Sequence, residues 1–282
     1  MNCAWPAYLN LLPHWLRHDV DKLGRDKLRE LRLRLGRPPE LVLDNQSKFL
    51  DRMVSSQDLE FIVNTVSRYS PWAAQTATKG YITAIGGHRL GVCGELAIVD
   101  GDICSMRYIS SISLRVARDF PGIAARAAYM DGSILIIGPP GTGKTTLLRD
   151  LIRQRSNLGR QAVLVVDERQ ELFPMVENTF CFPPGMRTDI VTGCSKLAGI
   201  SNVLRTMTPG TIALDEITAT DDCASLMGAL GCGVSFIATA HARDRNDLQK
   251  RVVYRSLLNS GFFQTLIILQ QDLSWQMERM DV

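Results

Sequence analysis

The sequence has no apolar run of the ~20 residues that a membrane-spanning helix needs. Its most apolar runs are only as long as strands, and they cover 134–137, 162–166 and 266–269. The N-terminus also lacks the basic and then apolar pattern of a signal peptide, because Pro6, Pro13 and His14 interrupt it. These absences predict a soluble, cytoplasmic chain that reaches a membrane only through partners.

Cysteine pairs and an excess of one charge are also missing. The seven cysteines are odd in number and form no C-x-x-C motif, which predicts scattered reduced thiols and no zinc site. The 32 Lys and Arg nearly balance the 29 Asp and Glu, for a net charge of +3. Such a charge does not mark a dedicated nucleic-acid binder, and with 7% aromatic residues a base-stacking platform is not expected.

What is present is the composition of a globular protein, with 282 residues of which 45% are hydrophobic. At roughly 100 to 200 residues per domain, this length predicts two domains. Residues 1–118 are expected to form a smaller α+β domain, and residues 119–282 a larger domain with a different pattern.

Three patterns support the α+β prediction for the first domain. Leucines alternate with arginines over 31–35, which indicates a strand with one solvated face. A Ser55–Asp58 capping pattern and the apolar spacing after it predict a helix to about Tyr69, and short strands are predicted over 81–117. Eight Lys and Arg over 17–37 lie among four acids, and we interpret them as a solvated face, with a partner or lipid contact as the alternative.

The second domain repeats a strand–turn–helix pattern. Strands are predicted at 134–137, 162–166, 211–214, 234–238, 262–270 and from 273. Helices are predicted at 123–130, 144–155, 196–207 and 221–230, with helical turns over 244–259 and a loop-rich stretch over 172–194. Alternating strands and helices imply an α/β fold whose mostly parallel sheet is covered by helices on both faces.

One glycine-rich motif lies between a predicted strand and a predicted helix. It fits G-x-x-x-x-G-K-[ST], is followed by Thr146, and reads Gly138-Pro139-Pro140-Gly141-Thr142-Gly143-Lys144-Thr145. In that context backbone amides and the positive end of the helix bind a polyphosphate. Lys144 is expected to reach the β- and γ-phosphates, and the Thr145 hydroxyl to ligate Mg²⁺. Residues 138–146 are therefore predicted to bind ATP in a RecA-like P-loop NTPase domain.

Two predicted strands end in an Asp-Glu pair. One ends in Asp167 and Glu168, and the other in Asp215 and Glu216. The carboxyl ends of parallel strands face the crevice in which ligands bind. We expect Asp215 to hold Mg²⁺, directly or through water, and one of the two glutamates to activate the attacking water. The pattern leaves that role open between Glu168 and Glu216.

Two further positions complete the candidate set. Thr239 and His241 follow another predicted strand, so they are expected in the same crevice, where they could sense the γ-phosphate. Arg205 precedes the strand that ends at Asp215 and is a candidate to stabilise charge on the transferred phosphoryl group. The predicted catalytic residues are Lys144, Glu168, Arg205, Glu216 and His241.

The order of these motifs resembles the secretion ATPases, the hexameric ring motors of type II and type IV secretion and of type IV pili. The P-loop, an acid box (Asp167, Glu168), a metal-side box (Asp215, Glu216) and a histidine box (His241) follow an α+β domain. Within that group the chain resembles the stage III sporulation protein AA family of endospore-forming Firmicutes. The segments that carry this narrower resemblance are 30–38, 80–83, 86–94, 144–150, 166–169, 187–189 and 193–194.

The resemblance implies an ATP hydrolase that uses Mg²⁺ and assembles as a homohexameric ring, with nucleotide bound between its two domains. It also implies arginines that act on a neighbouring subunit, for which Arg89, Arg115 and Arg118 are candidates. The implied partners are the membrane proteins of the stage III sporulation A channel between mother cell and forespore, reached from the mother-cell cytoplasm. The motors usually have Gly-Glu where this chain has Asp215-Glu216, and the cysteine quartet of some type II motors is absent.

Two other functions are compatible with the same ATPase core, because a fold does not determine a function. One is a nucleic-acid-dependent ATPase of the loader or helicase type, which single-stranded DNA would stimulate. The other is a nucleotide switch that binds ATP and barely hydrolyses it.

Overall fold

The computed structural model describes residues 1–44, 46–67, 81–99, 102–176, 178–229 and 231–280, with backbone alone for residues 99 and 102–107. The chain divides into two compact units. Unit 1 comprises Met1–Asp119 and Met175–Cys181, and unit 2 comprises Phe120–Pro174 and Phe182–Val282. The chain therefore crosses between the units three times, after residues 119, 174 and 181.

Unit 1 is built on a six-stranded antiparallel sheet with the order β3-β2-β1-β6-β5-β4. The strands are β1 (Glu30–Arg34), β2 (Glu40–Val42), β3 (Ser47–Phe49), β4 (Tyr81–Thr83), β5 (Arg89–Val99) and β6 (Asp102–Arg115). Its helices are α1 (Trp5–Asn10), α2 (His14–Leu23), α3 (Ser56–Ser67) and a 3₁₀ turn at Ile85–Gly87. A short hairpin of β9 (Met175–Val176) and β10 (Thr179–Phe180) belongs to the same unit.

The alternating pattern of β1 gives the sheet of unit 1 one buried and one charged face. Leu31 and Leu33 are fully buried in a core that also contains apolar residues of α2 and α3. Arg32 and Arg34 instead pair with Glu30 and Glu40 at 2.6 and 2.7 Å. These two arginines therefore have acidic partners within unit 1, and the choice between a solvated face and a partner or lipid contact for the stretch 17–37 stays a prediction.

Helix α3 begins as its sequence predicts. The Asp58 carboxylate accepts the Ser55 amide at 2.9 Å, and the Ser55 hydroxyl accepts the Asp58 amide at 3.2 Å. This reciprocal capping satisfies amides that the first turn leaves without helical partners. The predicted end of the helix near Tyr69 lies outside the described residues.

Unit 2 contains a seven-stranded sheet with the order β11-β8-β12-β13-β7-β14-β15, and only the last pair is antiparallel. Its strands are β7 (Ile134–Ile137), β8 (Val163–Asp167), β11 (Thr188–Thr192), β12 (Thr211–Ile217), β13 (Ser235–Ala240), β14 (Thr265–Leu269) and β15 (Trp275–Arg279). The helices are α4 (Lys144–Leu158), α5 (Lys196–Thr206), α6 (Thr220–Gly228), α7 (Arg245–Lys250) and α8 (Arg255–Asn259), with a 3₁₀ turn at Val252–Tyr254.

The central strands β7, β8, β12, β13 and β14 are mostly buried on both faces, as expected for a parallel sheet, whereas the edge strands β11 and β15 are half-buried or exposed. Leu164 and Leu214 belong to the core that includes residues of α5, α6 and α8. Their neighbours Val165 and Ala213 are equally buried and point to the opposite face, where α4 contacts the sheet. The predicted α/β layering with helices on both faces is therefore present.

One local prediction for this unit was wrong. The segment 123–130, predicted as a helix, is not helical, because residues 121–129 form successive turns. The Asp150 carboxylate fixes the start of these turns by accepting the amides of Gly122 and Ala124. The stretch 172–194, predicted to be rich in loops, also contains short strands, which are the β9–β10 hairpin of unit 1 and the edge strand β11 of unit 2. Its sequence Thr-Asp-Ile-Val-Thr is short and half polar, so it has no clear strand pattern.

Three buried charged residues of α4 hold the unit 2 side of each chain crossing. Arg149, Asp150 and Arg153 are each less than 9% exposed. Their backbone partners are Gly122 and Ala124 after the first crossing, Glu171 and Leu172 before the second, and Pro183 after the third. The helix that follows the P-loop is thus attached to every segment that leads to unit 1.

Within the described ranges, no helix is both long and apolar enough to cross a membrane.

Candidate functional site

The P-loop occupies the turn from β7 to α4, between the strand and the helix that its sequence context predicted. Gly141 and Gly143 have φ of 79° and 89°, a region that favours glycine. The Thr142 hydroxyl donates to the carbonyl of Pro139 at 2.8 Å. A Cβ at Gly138 would lie 2.7 Å from that hydroxyl. The loop is therefore compact because glycine stands at these positions. Pro140 is exposed at its tip, and Thr146 is half-buried in the first turn of α4.

Lys144 is the central charge of the site. Its side chain is buried, and its ammonium donates to the carbonyls of Gly138 and Pro139, both at 2.9 Å. Burial lowers the pKa of Lys144, while the carboxylates of Asp215 and Glu216 oppose that shift. The ammonium is therefore held by carbonyl groups of the loop itself.

His241 connects Lys144 to Glu216. Its Nδ1 lies 3.1 Å from the Lys144 ammonium, and its Nε2 lies 2.8 Å from the Glu216 carboxylate. Because an ammonium can only donate, Nδ1 accepts, and Nε2 carries the proton that it donates to Glu216. A change at the Lys144 ammonium therefore reaches the Glu216 carboxylate through a single ring.

Asp215 accepts two hydroxyl hydrogen bonds at the carboxyl end of β12. Thr145 donates to its Oδ2 at 3.0 Å, and Thr239 donates to its Oδ1 at 2.6 Å. This places a carboxylate and the Thr145 hydroxyl side by side, which are hard oxygen ligands of the kind that Mg²⁺ prefers. No group of three or more His, Cys, Asp or Glu in the described part of the chain could hold a metal ion alone. The donor set fits a Mg²⁺ ion that takes its remaining ligands from phosphate and water.

Glu216 has a backbone conformation that is uncommon for its residue type. Its φ is 50°, and the pairing of β12 with β13 shifts register between Leu214 and Ile217. The Glu216 amide donates to the Thr239 hydroxyl at 2.7 Å, which stabilises this irregular position. The bulge turns the side chain toward His241 and toward Arg169, whose guanidinium is 3.1 Å from Glu216 Oε2.

The neighbouring strand end uses its Asp-Glu pair differently. Asp167 is 1% exposed and accepts three consecutive amides, those of residues 171, 172 and 173, at 2.8, 3.0 and 3.0 Å. Burial raises the pKa of the Asp167 carboxyl, and the three hydrogen bonds offset part of that shift. Asp167 therefore shapes the loop after β8, while Glu168 is 40% exposed and accepts a hydrogen bond from the Lys196 ammonium at 2.8 Å.

The carboxyl ends of β8 and β12 line one cavity at this edge of the sheet. Its lining residues are Asp167, Glu168, Arg169, Glu171, Lys196, Asp215 and Glu216. Lys196 was missed in the sequence, where it is the first residue of a predicted helix. Its position directly after the helix cap at Ser195 is the local signal that could have directed attention to it.

Arg205 is not brought to the other candidates. It is exposed in the last turn of α5, nine residues from Lys196 and hence about 13 Å along the helix axis. In unit 1, Arg118 is buried and donates to the carbonyls of Arg25 and Leu28. Arg89 lies over the ring of Tyr81 at 4.4 Å, and Arg115 is 68% exposed, 3.7 Å from Glu30.

Residues 9–276 match the model of the family described as Sporulation stage III, protein AA. The chain belongs to this family. It is also 33% identical over 275 residues to Stage III sporulation protein AA of Bacillus subtilis (strain 168), covering 93% of this chain and 89% of the relative.

Two solved ATPase structures show the same fold. The ATPase DotB of Legionella pneumophila matches with a TM-score of 0.61 and 18% identity, over 94% of this chain and 79% of DotB. The pilus retraction motor PilT with bound ADP matches with a TM-score of 0.62 and 14% identity, over 95% of this chain and 82% of PilT. The predicted α/β, RecA-like fold is thus confirmed, and so is the predicted membership of the stage III sporulation protein AA family. To these two ATPases the chain is similar in fold.

Proposed function

We propose that this chain is a Mg²⁺-dependent ATPase that works on a membrane complex during sporulation. The observation that carries the proposal is the contact network at one sheet edge, where the P-loop meets the ends of β12 and β13. In it, Lys144 contacts His241, His241 contacts Glu216, and Thr145 contacts Asp215. These are the groups that phosphoryl transfer from ATP needs to be positioned together.

In this proposal, residues 138–146 bind the phosphates of ATP through backbone amides at the start of α4. Lys144 would exchange its loop carbonyls for phosphate oxygens, and Thr145 and Asp215 would hold Mg²⁺. When bound, Mg²⁺ neutralises charge that develops on the phosphate oxygens. As Lys144 moves toward phosphate, His241 loses a hydrogen bond at Nδ1, which links nucleotide binding to Glu216.

We assign activation of the attacking water to Glu168. Both oxygens of Glu216 have partners, His241 for Oε1 and Arg169 for Oε2. Glu168 uses only Oε2, toward Lys196, and among the described residues its Oε1 has no hydrogen-bond partner. An exposed carboxylate oxygen in the cavity can accept a proton from water, as a general base must.

The family membership supports a role in sporulation, and the fold supports a secretion-type motor. We therefore propose a homohexameric ring in the mother-cell cytoplasm that docks on the membrane proteins of the stage III sporulation A channel. A docked ring would use ATP to assemble or power that channel. Capture of those membrane proteins from sporulating cells by the wild-type chain, and not by the Lys144→Ala chain, is the expected result.

Hydrolysis by the purified protein tests the enzymatic part. The wild-type chain should release phosphate from ATP only with Mg²⁺, and Lys144→Ala should lower the rate by about 10²-fold or more, because a charged group that stabilises the transition state is lost. Lys250→Ala, at an exposed position of α7, is the matched control. An undiminished rate in Lys144→Ala would disprove the site assignment, and strong stimulation by single-stranded DNA would favour a nucleic-acid-dependent ATPase.

A further inference from the structure

Lys196 is a buried ammonium that no step of the proposed reaction uses. It is the first residue of α5, directly after Ser195, whose hydroxyl accepts the Ala198 amide and caps that helix. Its side chain is 8% exposed, yet it reaches the cavity that Glu168, Asp215 and Glu216 line. Burying a lysine is costly unless acids compensate its charge.

Two acids compensate that charge. The ammonium lies 2.8 Å from Glu168 Oε2 and 3.6 Å from Asp222 Oδ1. Asp222 is itself fixed, because its Oδ2 accepts the amides of Thr218 and Ala219 at 2.9 and 3.1 Å, before the first turn of α6. Lys196 therefore lies near one carboxylate that backbone amides hold in place, that of Asp222, and forms its shorter contact with Glu168.

Glu168 depends on this contact more than Lys196 does. The Glu168 side chain is 40% exposed, and Lys196 is its only side-chain partner among the described residues. Lys196 has a second acidic partner in Asp222, whose side chain is 15% exposed. A glutamate that is free in solvent samples several rotamers, and fixing one of them removes an entropic cost from the reaction.

We propose that Lys196 is the positioning residue for Glu168, holding one carboxylate oxygen so that the other faces the attacking water. This role rests on the proposed ATPase function. Lys196 would not touch the nucleotide, so its removal should slow turnover without weakening ATP binding.

Steady-state ATP hydrolysis by the full chain tests this role through Lys196→Met. We expect kcat to fall about 10- to 100-fold with KM for ATP unchanged, because a misplaced catalytic group affects turnover. Lys196→Arg, which retains a charged donor, should recover part of that loss. Lys250→Met is the matched control at an exposed position and should behave as wild type.

A double-mutant cycle with Glu168→Gln separates positioning from a general structural effect. If Lys196 acts through Glu168, Lys196→Met should cost little further kcat once Glu168→Gln is present. An equal fold-loss in both backgrounds, or a rise in KM with kcat unchanged, would overturn the role of Lys196. If the wild-type chain does not hydrolyse ATP, the proposed function itself is overturned. If the wild-type chain is active and Lys196→Met hydrolyses ATP at the same rate, only the positioning role is overturned.

Discussion

Strands β8 and β12 are neighbours in the same sheet, and each has an Asp-Glu pair at its carboxyl end. The pairs are Asp167-Glu168 and Asp215-Glu216, and their environments differ. After β8 the aspartate is enclosed by three amides of its own loop, and the glutamate extends into the cavity. Near the carboxyl end of β12, Asp215 accepts hydrogen bonds from the hydroxyls of Thr145 and Thr239, and Glu216 lies 2.8 Å from His241. In the first pair only the glutamate extends into the candidate site, while the aspartate supports its own loop. In the second pair both residues contact other candidate site residues.

Two histidines show the same kind of difference. His88 in unit 1 is fully buried between backbone groups, with Nδ1 accepting the Ala117 amide and Nε2 facing the Ala4 carbonyl. His241 in unit 2 lies between the charged side chains of Lys144 and Glu216. The two histidines therefore differ in their partners, which are backbone groups for His88 and charged side chains for His241.

The two glutamates should differ most. Glu168→Gln should lower kcat by about 10²- to 10⁴-fold, since the proposed general base is removed. Glu216→Gln should have a smaller effect, because this residue is proposed to respond to Lys144 through His241. Single-turnover ATP hydrolysis by the two variants measures the difference. A larger loss in Glu216→Gln would reverse the assignment, and equal slow rates in both variants and wild type would indicate a nucleotide switch.

The two aspartates should separate activity from stability. Asp215→Asn should lower ATP hydrolysis by about 10²- to 10³-fold while leaving the free energy of unfolding nearly unchanged. Asp167→Asn should cost about 2 to 3 kcal/mol of that free energy, because an amide donor then faces backbone donors. Urea unfolding and ATPase assays on both variants test this crossed pattern, and a loss of stability in Asp215→Asn alone would contradict it.

The smallest expected effect is a pH dependence from His88. Burial lowers the pKa of His88 to about 4 from its ordinary 6.5, so the unfolded chain binds the proton more readily. Stability from this residue is complete above pH 6.5 and is lost as pH falls toward 4, which amounts to about 2 kcal/mol by pH 5. The non-titrating variant His88→Gln should show a flatter dependence of unfolding free energy on pH, and an equal slope would refute the cause.

Much of this arrangement was predictable because it depends on local pattern. The P-loop spacing, the strand before it and the helix after it are encoded in neighbouring residues, as is the capping of α3 by Ser55 and Asp58. The positions of Asp215, Glu216 and His241 at or after the ends of predicted parallel strands also predicted that they lie at one edge of the sheet.

The rest depends on contacts between distant residues. Nothing local distinguishes Asp167, which caps its own loop, from Asp215, which faces Thr145. Lys196 gains its importance only because α5 begins beside the end of β8. The domain assignment 1–118 and 119–282 and the catalytic roles stay predictions, and the insertion of 175–181 into unit 1 has no sequence signal that we identified.

The central claim is that Lys144 and the Thr145–Asp215 pair bind the magnesium complex of ATP. Isothermal titration calorimetry of the full chain with ATP, with and without Mg²⁺, measures this directly. We expect binding that Mg²⁺ strengthens and that Lys144→Ala abolishes while Lys250→Ala retains it. Absence of Mg²⁺-dependent ATP binding by the folded wild-type chain would contradict the claim.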